Sequence, residues 1–569
     1  MEGFFKEIIE TIKKQKISKN RLNNVKIKLS KQHQMKVIPT DIQILMHASK
    51  ADLPKIKKYL QTKPTRTISG VAVCAIMTKP FKCPHGKCIY CPGGIKSYFG
   101  TVPQSYTGKE PATLRAMRNN YDPYLQVFNR LEQYIVLGHF PGKIELIIMG
   151  GTFPSFPKKY QENFIKYAFK AMNDFSDLFF EKNKEFNILK FKDFFELPAE
   201  VKDKERTKRI QKKLSVMKNK IKSIALEKEQ KRNENSNIKC VGLTMETRPD
   251  YGRLKQGNEM LRLGATRVEL GVQTVYDDVL KKIERGHTIK DAIESTRILK
   301  DLGFKINYHV MPGLPGVSYK KDLEALKELF ENQDFRPDML KIYPCMVLKG
   351  TKLYGMYKKK EYKPLTTEKA AHLIAEFKKC VPSYARIMRI QRDIPTYATE
   401  AGVDKTNLRQ YVEKIMKDKK IKCNCIRCRE AGNYLKGKNI KKIMKSIEIK
   451  SIYYEASKGT EFFISAEDFK NKILFGFCRL RFPSQFLRKE ITEDSALIRE
   501  LHVYGEAAAI GKKGAIQHRG LGKELLKTAE EIAKTYYKNR IVVISGIGAR
   551  NYYRRLGYKK EGLYMVKNL

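Results

Sequence analysis

Three cysteines, Cys83, Cys88 and Cys91, crowd into nine positions of the stretch FKCPHGKCIYCPGG, spaced C-x4-C-x2-C beside Gly93 and Gly94. Thiolates on one short loop can converge on a soft metal centre, because such a loop has no regular hydrogen bonding to hold them apart. A zinc ion would need a fourth ligand, for which His85 is close in sequence. A four-iron four-sulfur (4Fe-4S) cluster would instead leave one iron open to a substrate or cofactor. A second trio, Cys423, Cys425 and Cys428 in KIKCNCIRCRE, also reads as metal ligands. Zinc is the first reading there, with Cys380 of KKCVP as the fourth ligand and a structural role; a second iron-sulfur cluster is the alternative. Cys74, Cys240, Cys345 and Cys478 sit in apolar runs or beside a proline and read as core residues.

Ligands of this kind need a scaffold. From Gly70 onward short β-branched runs (GVAVCAIMT, KIELIIMGG, KCVGLTMET, RVELGVQT, KINYHVMPG, MLKIYP) alternate with longer amphipathic stretches such as TIKDAIESTRILKDLG. Six alternations predict an α/β fold with a parallel sheet curled into a partial TIM-type (β/α)6 barrel. In such a barrel the chemistry gathers at the C-terminal ends of the strands, and the cysteine loop follows the first of them. Gly150, Gly151 and Thr152 end the second run, Glu246 the third, Gln273 the fourth and Lys341 the sixth. All are candidates to contact a cofactor, and Lys341 is also a candidate catalytic group.

With 569 residues the chain should divide into several domains. Residues 1–65 read as a basic helical extension, either a solvated helical face or an RNA grip. Residues 66–360 hold the barrel, interrupted over about 174–237 by a charged helical insertion expected to be loosely attached. A cysteine-bearing linker covers 361–445 and a second α/β domain 446–569. Lysine and arginine exceed acidic residues by 52, which favours a polyanionic partner, nucleic acid first; a Lys-rich thermophile surface is the alternative. No apolar run is long enough to span a bilayer, and the N-terminus lacks a secretory leader. The expected setting is cytoplasmic, where eleven cysteines are more readily ligands or core residues than disulfides.

In the last domain, Gln517, His518, Arg519, Gly520, Leu521 and Gly522 enter the amphipathic stretch GKELLKTAEEIAKTYYKN after a strand. Unpaired N–H groups at such a helix start make a pyrophosphate cradle, to which Arg519 and Lys523 add charge. An ordinary helix start is the alternative.

The motifs SYTGKEPATLRA, YDPYLQ, MGGTF, METRPDYG, ELGVQTVYDDV, RGHT, KIYP and RIQRDIP together resemble the catalytic subunit of Elongator, in an archaeal-type form, from about residue 65 to the C-terminus. That family joins a radical S-adenosylmethionine (SAM) domain to an acetyltransferase domain of the GNAT type. The resemblance implies a 4Fe-4S cluster on Cys83, Cys88 and Cys91, although the usual superfamily spacing is C-x3-C-x2-C, and a Gly-Gly contact to the methionine amine of SAM. It implies acetyl-CoA bound by the Q-x-x-G-x-G loop and by the backbone of Glu500, Leu501, His502 and Val503. Tyr552 in GARNYYRRLGY, or Tyr553 as second choice, would protonate the departing thiolate. It also assigns Lys143 to acetyl-CoA binding, which would bring that cofactor to the mouth of the barrel.

The activity so implied is 5-carboxymethylation of the tRNA wobble uridine, with the anticodon stem loop as the bound partner. A homodimer and further subunits are left open. Two alternatives stand beside it: a protein lysine acetyltransferase with a structural cluster, and a nonenzymatic tRNA-binding scaffold.

Overall fold

In the computed structural model, the described residues are 2–14, 17–49, 51–62, 67, 69–199, 203–220, 225–434, 446–505 and 520–569. Four N-terminal helices, Glu2–Lys14, Lys19–Gln32, Asp41–His47 and Leu53–Leu60, turn their apolar stripes inward. Phe4, Phe5, Ile8, Ile9 and Ile12 of the first are buried, each burial stabilising by about 2 kcal/mol. Arg21 and Lys28 remain exposed on the second.

The six expected runs form strands β1 (Ala72–Met77), β4 (Lys143–Met149), β5 (Lys239–Thr247), β6 (Arg267–Gln273), β7 (Lys305–Val310) and β8 (Met339–Ile342). Between β1 and β4 a small hairpin, β2 (Gly94–Ser97) and β3 (Gly100–Val102), follows the cysteine loop. The large sheet runs β1-β4-β5-β6-β7-β8-β9 and is parallel throughout. A seventh strand, β9 (Arg386–Ile390), extends it beyond the six expected. This strand lies inside the stretch read as linker, because RIMRI is short and carries two arginines where a buried strand would be apolar.

The charged insertion is held more firmly than its composition predicts. In the helix Leu226–Asn235, the Asn233 amide donates to the Ile238 carbonyl and accepts from the Cys240 N–H, fixing the entry to β5. Glu234 accepts from Arg550 at 3.1 Å and Arg554 at 2.6 Å, tying the insertion to the last domain.

That domain is a second seven-stranded sheet: β10 (Glu448–Ala456), β11 (Gly459–Asp468), β12 (Ile473–Phe482), β13 (Ser495–Val503), β14 (Arg540–Val543), β15 (Lys559–Glu561) and β16 (Tyr564–Asn568). β13 pairs in parallel with β14 only from Ser495 to Ile498. Beyond that point β13 runs on to Val503 while β14 stops, so a wedge opens between neighbouring strands. The domain sits against the N-terminal ends of the barrel strands, and a Cβ on Gly546 would run into the Val241 carbonyl oxygen. Arg479, Arg481 and Arg499 are fully buried at this junction with Asp301, Asp338 and Glu461.

Candidate functional site

At the C-terminal end of the barrel, Cys88 and Cys91 are buried and Cys83 is half-buried. His85 lies between two of them, its Nδ1 3.1 Å from Cys83 Sγ and its Nε2 3.1 Å from Cys88 Sγ. Burial and the nearby Arg248 and Arg285 push the imidazole down to about 3, so it is neutral. Cys91 donates to Gln104 Oε1 at 3.3 Å, and the buried Arg285 guanidinium lies 3.6 Å from Cys88 Sγ.

Among the described residues, two sets of donors have all their ligand atoms within 4.8 Å of one another: Cys423, Cys425 and Cys428, and Glu246, Glu269 and His309. The 83/88/91 trio is not one of them. The edges of a polynuclear cluster can span thiolates set wider apart than those on one tetrahedral zinc, which stand about 3.8 Å apart.

A cradle adjoins the sulfurs. Gly150 and Gly151 take φ of 127° and 107°, and a Cβ on Gly150 would collide with Thr78 Oγ1. That buried hydroxyl and Gln273 Oε1 have no hydrogen-bond partner. Thr152 Oγ1 is 3.9 Å from Cys83 Sγ. A cradle that only glycine permits, surrounded by unpaired buried polar atoms, fits a polar cofactor held at the cluster.

The barrel lumen is ionic. Glu246 and Glu269 are register partners on β5 and β6, as are His309 and Lys341 on β7 and β8. Glu269 accepts from His309 at 2.8 Å and Asn307 at 3.1 Å, and pairs with Lys341. Burial works to raise the Glu269 carboxyl, but Lys341, His309 and Arg267 hold it well below the usual range. Tyr106 donates to Glu246 at 3.1 Å. Lys341, the candidate catalytic group, thus sits in the lumen paired with Glu269.

The second site opens at the other end. A pocket of about 660 Å³ is lined by Glu500, Leu501, His502 and Val503 on the open edge of β13, by Gly520, Leu521 and Gly522, and by Tyr552 and Tyr553. Gly520 caps the helix Leu521–Thr535 in the left-handed region. Gln517 and its neighbours to Arg519 fall outside the described residues. Tyr552 is half-buried, and a Cβ on Gly522 would come within 3.0 Å of its hydroxyl. Burial pushes the Tyr552 phenol up to about 12, so it stays protonated. Tyr553 is buried and packs edge-on against Tyr552 and Tyr558. An open strand edge, a glycine at a helix start and a protonated phenol around one pocket fit an acyl-CoA.

Two expectations need correction. Lys143 does line this pocket, but as the first residue of β4 it stands at the opposite end of the barrel from the cysteine loop, not at its mouth. Cys380 does not join Cys423, Cys425 and Cys428: it is exposed on the turn after the helix Thr367–Phe377. The buried Lys378 ammonium occupies that side instead, 3.3 Å from Cys428 Sγ. Hydrogen bonds with Cys423 and Cys428, together with Lys378, draw the Cys425 thiol well down.

Glu145, Arg267, Glu269, His309 and Arg285 carry much of this geometry and were not singled out from the sequence. The available signal was polar residues two apart on strands otherwise apolar, Arg267 with Glu269 and Asn307 with His309, which share one face of a strand.

The comparisons agree with this architecture. Residues 79–329 match the radical SAM superfamily, 337–418 a radical SAM C-terminal domain, 1–68 the ELP3 N-terminal domain and 513–568 a GNAT acetyltransferase domain. The chain is 45% identical to tRNA uridine(34) acetyltransferase of Methanocaldococcus jannaschii, covering 100% of this chain and 98% of that one. It is 40% identical to Elongator complex protein 3 of Saccharomyces cerevisiae, covering 96% and 92%. A solved structure of Methanocaldococcus infernus Elp3 lacking residues 1–46 is similar with a TM-score of 0.71 and 42% identity, over 88% of this chain and 100% of that one.

Proposed function

Because the chain belongs to the family of tRNA uridine(34) acetyltransferase and Elongator complex protein 3, we propose that it modifies carbon 5 of the wobble uridine of tRNA, in the cytoplasm, with the acetyl group of acetyl-CoA as carbon source. The observation that carries this is the pairing of a cysteine-loop site with a pocket of about 660 Å³, lined by the open edge of β13 and the glycine helix start, at the two ends of one barrel. We assign residues 66–360 with the added β9 to the radical SAM unit, 446–569 to the acetyltransferase unit and 1–65 to tRNA contact.

Cys83, Cys88 and Cys91 would hold the cluster, and Gly150, Gly151, Thr152, Glu246 and Gln273 would line the SAM cradle. Cluster and SAM together supply, when bound, a carbon radical able to take hydrogen from an unactivated methyl group. Arg285 keeps a positive charge beside the sulfurs, and Cys88 and Cys91 lie on the buried side of a loop that is otherwise open to solvent at Cys83. Gly520 to Gly522 present backbone N–H groups to pyrophosphate, and the open edge from Glu500 to Val503 pairs with the pantetheine arm. Tyr552, protonated at neutral pH, holds the proton for the departing thiolate.

The test is anaerobic reconstitution with iron, sulfide, SAM, acetyl-CoA, dithionite and tRNA, followed by nucleoside analysis. Carboxymethyl-type uridine that needs both SAM and acetyl-CoA is the expected result. Acetylation of peptides without SAM cleavage, or tRNA binding without any product, would overturn it.

We assign zinc to Cys423, Cys425 and Cys428, in a structural role, with a water or another donor from outside the trio in the fourth position that Cys380 does not fill. Their loop is anchored where the two sheets meet: the Ile426 N–H donates to the Ala385 carbonyl, and Arg386 pairs with Glu430 at 2.7 Å. One zinc per chain is expected in metal analysis, lost in Cys428→Ser while iron at the first trio is retained. Iron in place of zinc at this trio would refute the assignment.

A further inference from the structure

Arg267, first residue of β6, lies at the base of the barrel and lines the acyl-CoA pocket. It is 4% exposed. One corner of its guanidinium is engaged, with Nη1 2.5 Å from Glu145 Oε1 and 4.0 Å from Met339 Sδ. The opposite edge is not: Nε and Nη2 are buried without a hydrogen-bond partner. The Glu269 Oε1 atom is 3.6 Å from Nη2, beyond hydrogen-bond range. Unpaired buried donors are costly, and two on one planar edge form a fork that fits a single carbonyl oxygen or a carboxylate. Pairing with Glu145 offsets the charge, so the edge suits a neutral acceptor more than a free anion.

The pocket itself says which acceptor reaches this edge. Its glycine end, Gly520 to Gly522, suits pyrophosphate; the open edge of β13 leads away from it to Glu500, and beyond Glu500 come Lys305 and Arg267 at the strand starts of the barrel. A pantetheine arm laid along that edge delivers its acyl end to Arg267.

Resting on the acetyl-CoA reading above, we propose that Arg267 holds the carbonyl oxygen of the acyl thioester between Nε and Nη2 at the floor of the barrel. The oxygen is then anchored, and the methyl group is the part left to enter the lumen. Arg267 is in this sense the hinge between the two sites: it touches the acyl group on one side and stands beside Glu269 of the lumen column on the other.

The experiment is calorimetric titration of the full chain with acetyl-CoA and with S-ethyl-CoA, a thioether lacking only the carbonyl oxygen. Wild type should bind acetyl-CoA at least about tenfold more tightly, the worth of one hydrogen bond to a charged donor. In Arg267→Gln the ratio should fall to within about twofold of unity while S-ethyl-CoA affinity holds, which also reports an intact pocket; Arg267→Lys, with charge but no fork, should lose most of the ratio. A wild-type ratio near one, or a ratio that survives both substitutions, overturns the role of Arg267 and leaves the acetyl-CoA reading standing. Failure of wild type to bind either compound overturns both. The wild-type comparison decides even where a variant does not fold.

Discussion

Cys88→Ser should abolish formation of modified uridine, lowering turnover by at least about a thousandfold, or roughly 4 kcal/mol of transition-state stabilisation. The substitution keeps the size of the side chain at a site that is 5% exposed, so the fold has no reason to fail. A hydroxyl is a hard ligand and stays protonated where a thiol ionises, so the loop loses one of its three holds on iron. Reconstituted protein should lose iron and visible absorbance together, while acetyl-CoA binding at the far end of the barrel is unchanged. Cys345→Ala is the matched control, since Cys345 is buried in the same apolar cluster as Cys88 but belongs to neither trio. It should cost about 1 kcal/mol of packing and leave iron intact. If Cys88→Ser retains iron and activity while Cys345→Ala does not, the trio has been misassigned.

How much of this the sequence discloses depends on whether a feature is local to one segment. The cysteine loop, the Gly150–Gly151 turn and the buried character of Cys74, Cys240, Cys345 and Cys478 all follow from neighbours along the chain. The strand ends at Glu246 and Gln273 were legible for the same reason. The lumen column was not, because it is made by register: Glu269 meets Glu246, Asn307 and Lys341 only once β5 to β8 are aligned. Lys143 shows the same limit, since its place before a strand is visible but the location of the pocket at that end requires the second domain to be docked there. For the second trio, the need for a fourth ligand made Cys380 attractive, whereas the turn after the helix Thr367–Phe377 carries it outward and leaves Lys378 inside. The insertion read as loosely held because its charges were counted without their partners, and Glu234 finds those more than three hundred residues away.

In the proposed reaction the two ends of the barrel act on one another across a considerable depth. β6 alone, from Arg267 at the pocket beside the second domain to Gln273 at the end that carries the cysteine loop, spans about 20 Å. An acyl arm can bridge part of that depth only if the second domain is docked without play, and the buried charges at the junction supply this. Asp338, just before β8, is fully buried. Its Oδ1 and Oδ2 receive Arg499 at 2.6 and 2.8 Å, and Oδ2 also accepts the Ile306 N–H at 2.8 Å. Arg499 is the first residue of β13 past its last pairing with β14, so the bond that joins the domains also sets the edge that the pantetheine arm would follow.

Asp338→Asn should therefore destabilise the protein by about 3–5 kcal/mol, because Arg499 is left buried with one charge fewer to balance it. Acetyl-CoA affinity should fall with it, while iron loading at the first trio persists. Removing both partners, Asp338→Asn with Arg499→Met, should cost less than the sum of the two single changes, since the charge of the cluster is rebalanced even though Glu461 Oε2 loses the bonds it accepts from Arg499. The pH dependence has a definite sign. Burial works to raise the Asp338 carboxyl, but Arg499 and Arg479 hold it well below the usual carboxylate range. Its contribution is complete above the unfolded value of about 3.9 and is lost as the pH falls from there through the folded value. The stability gap between wild type and Asp338→Asn should thus be full at neutral pH and narrow progressively in acid. Denaturant unfolding at pH 7 and below pH 4 measures it; equal stability of the two proteins at pH 7, or a gap that widens in acid, would show that the domains are held together by something other than this carboxylate.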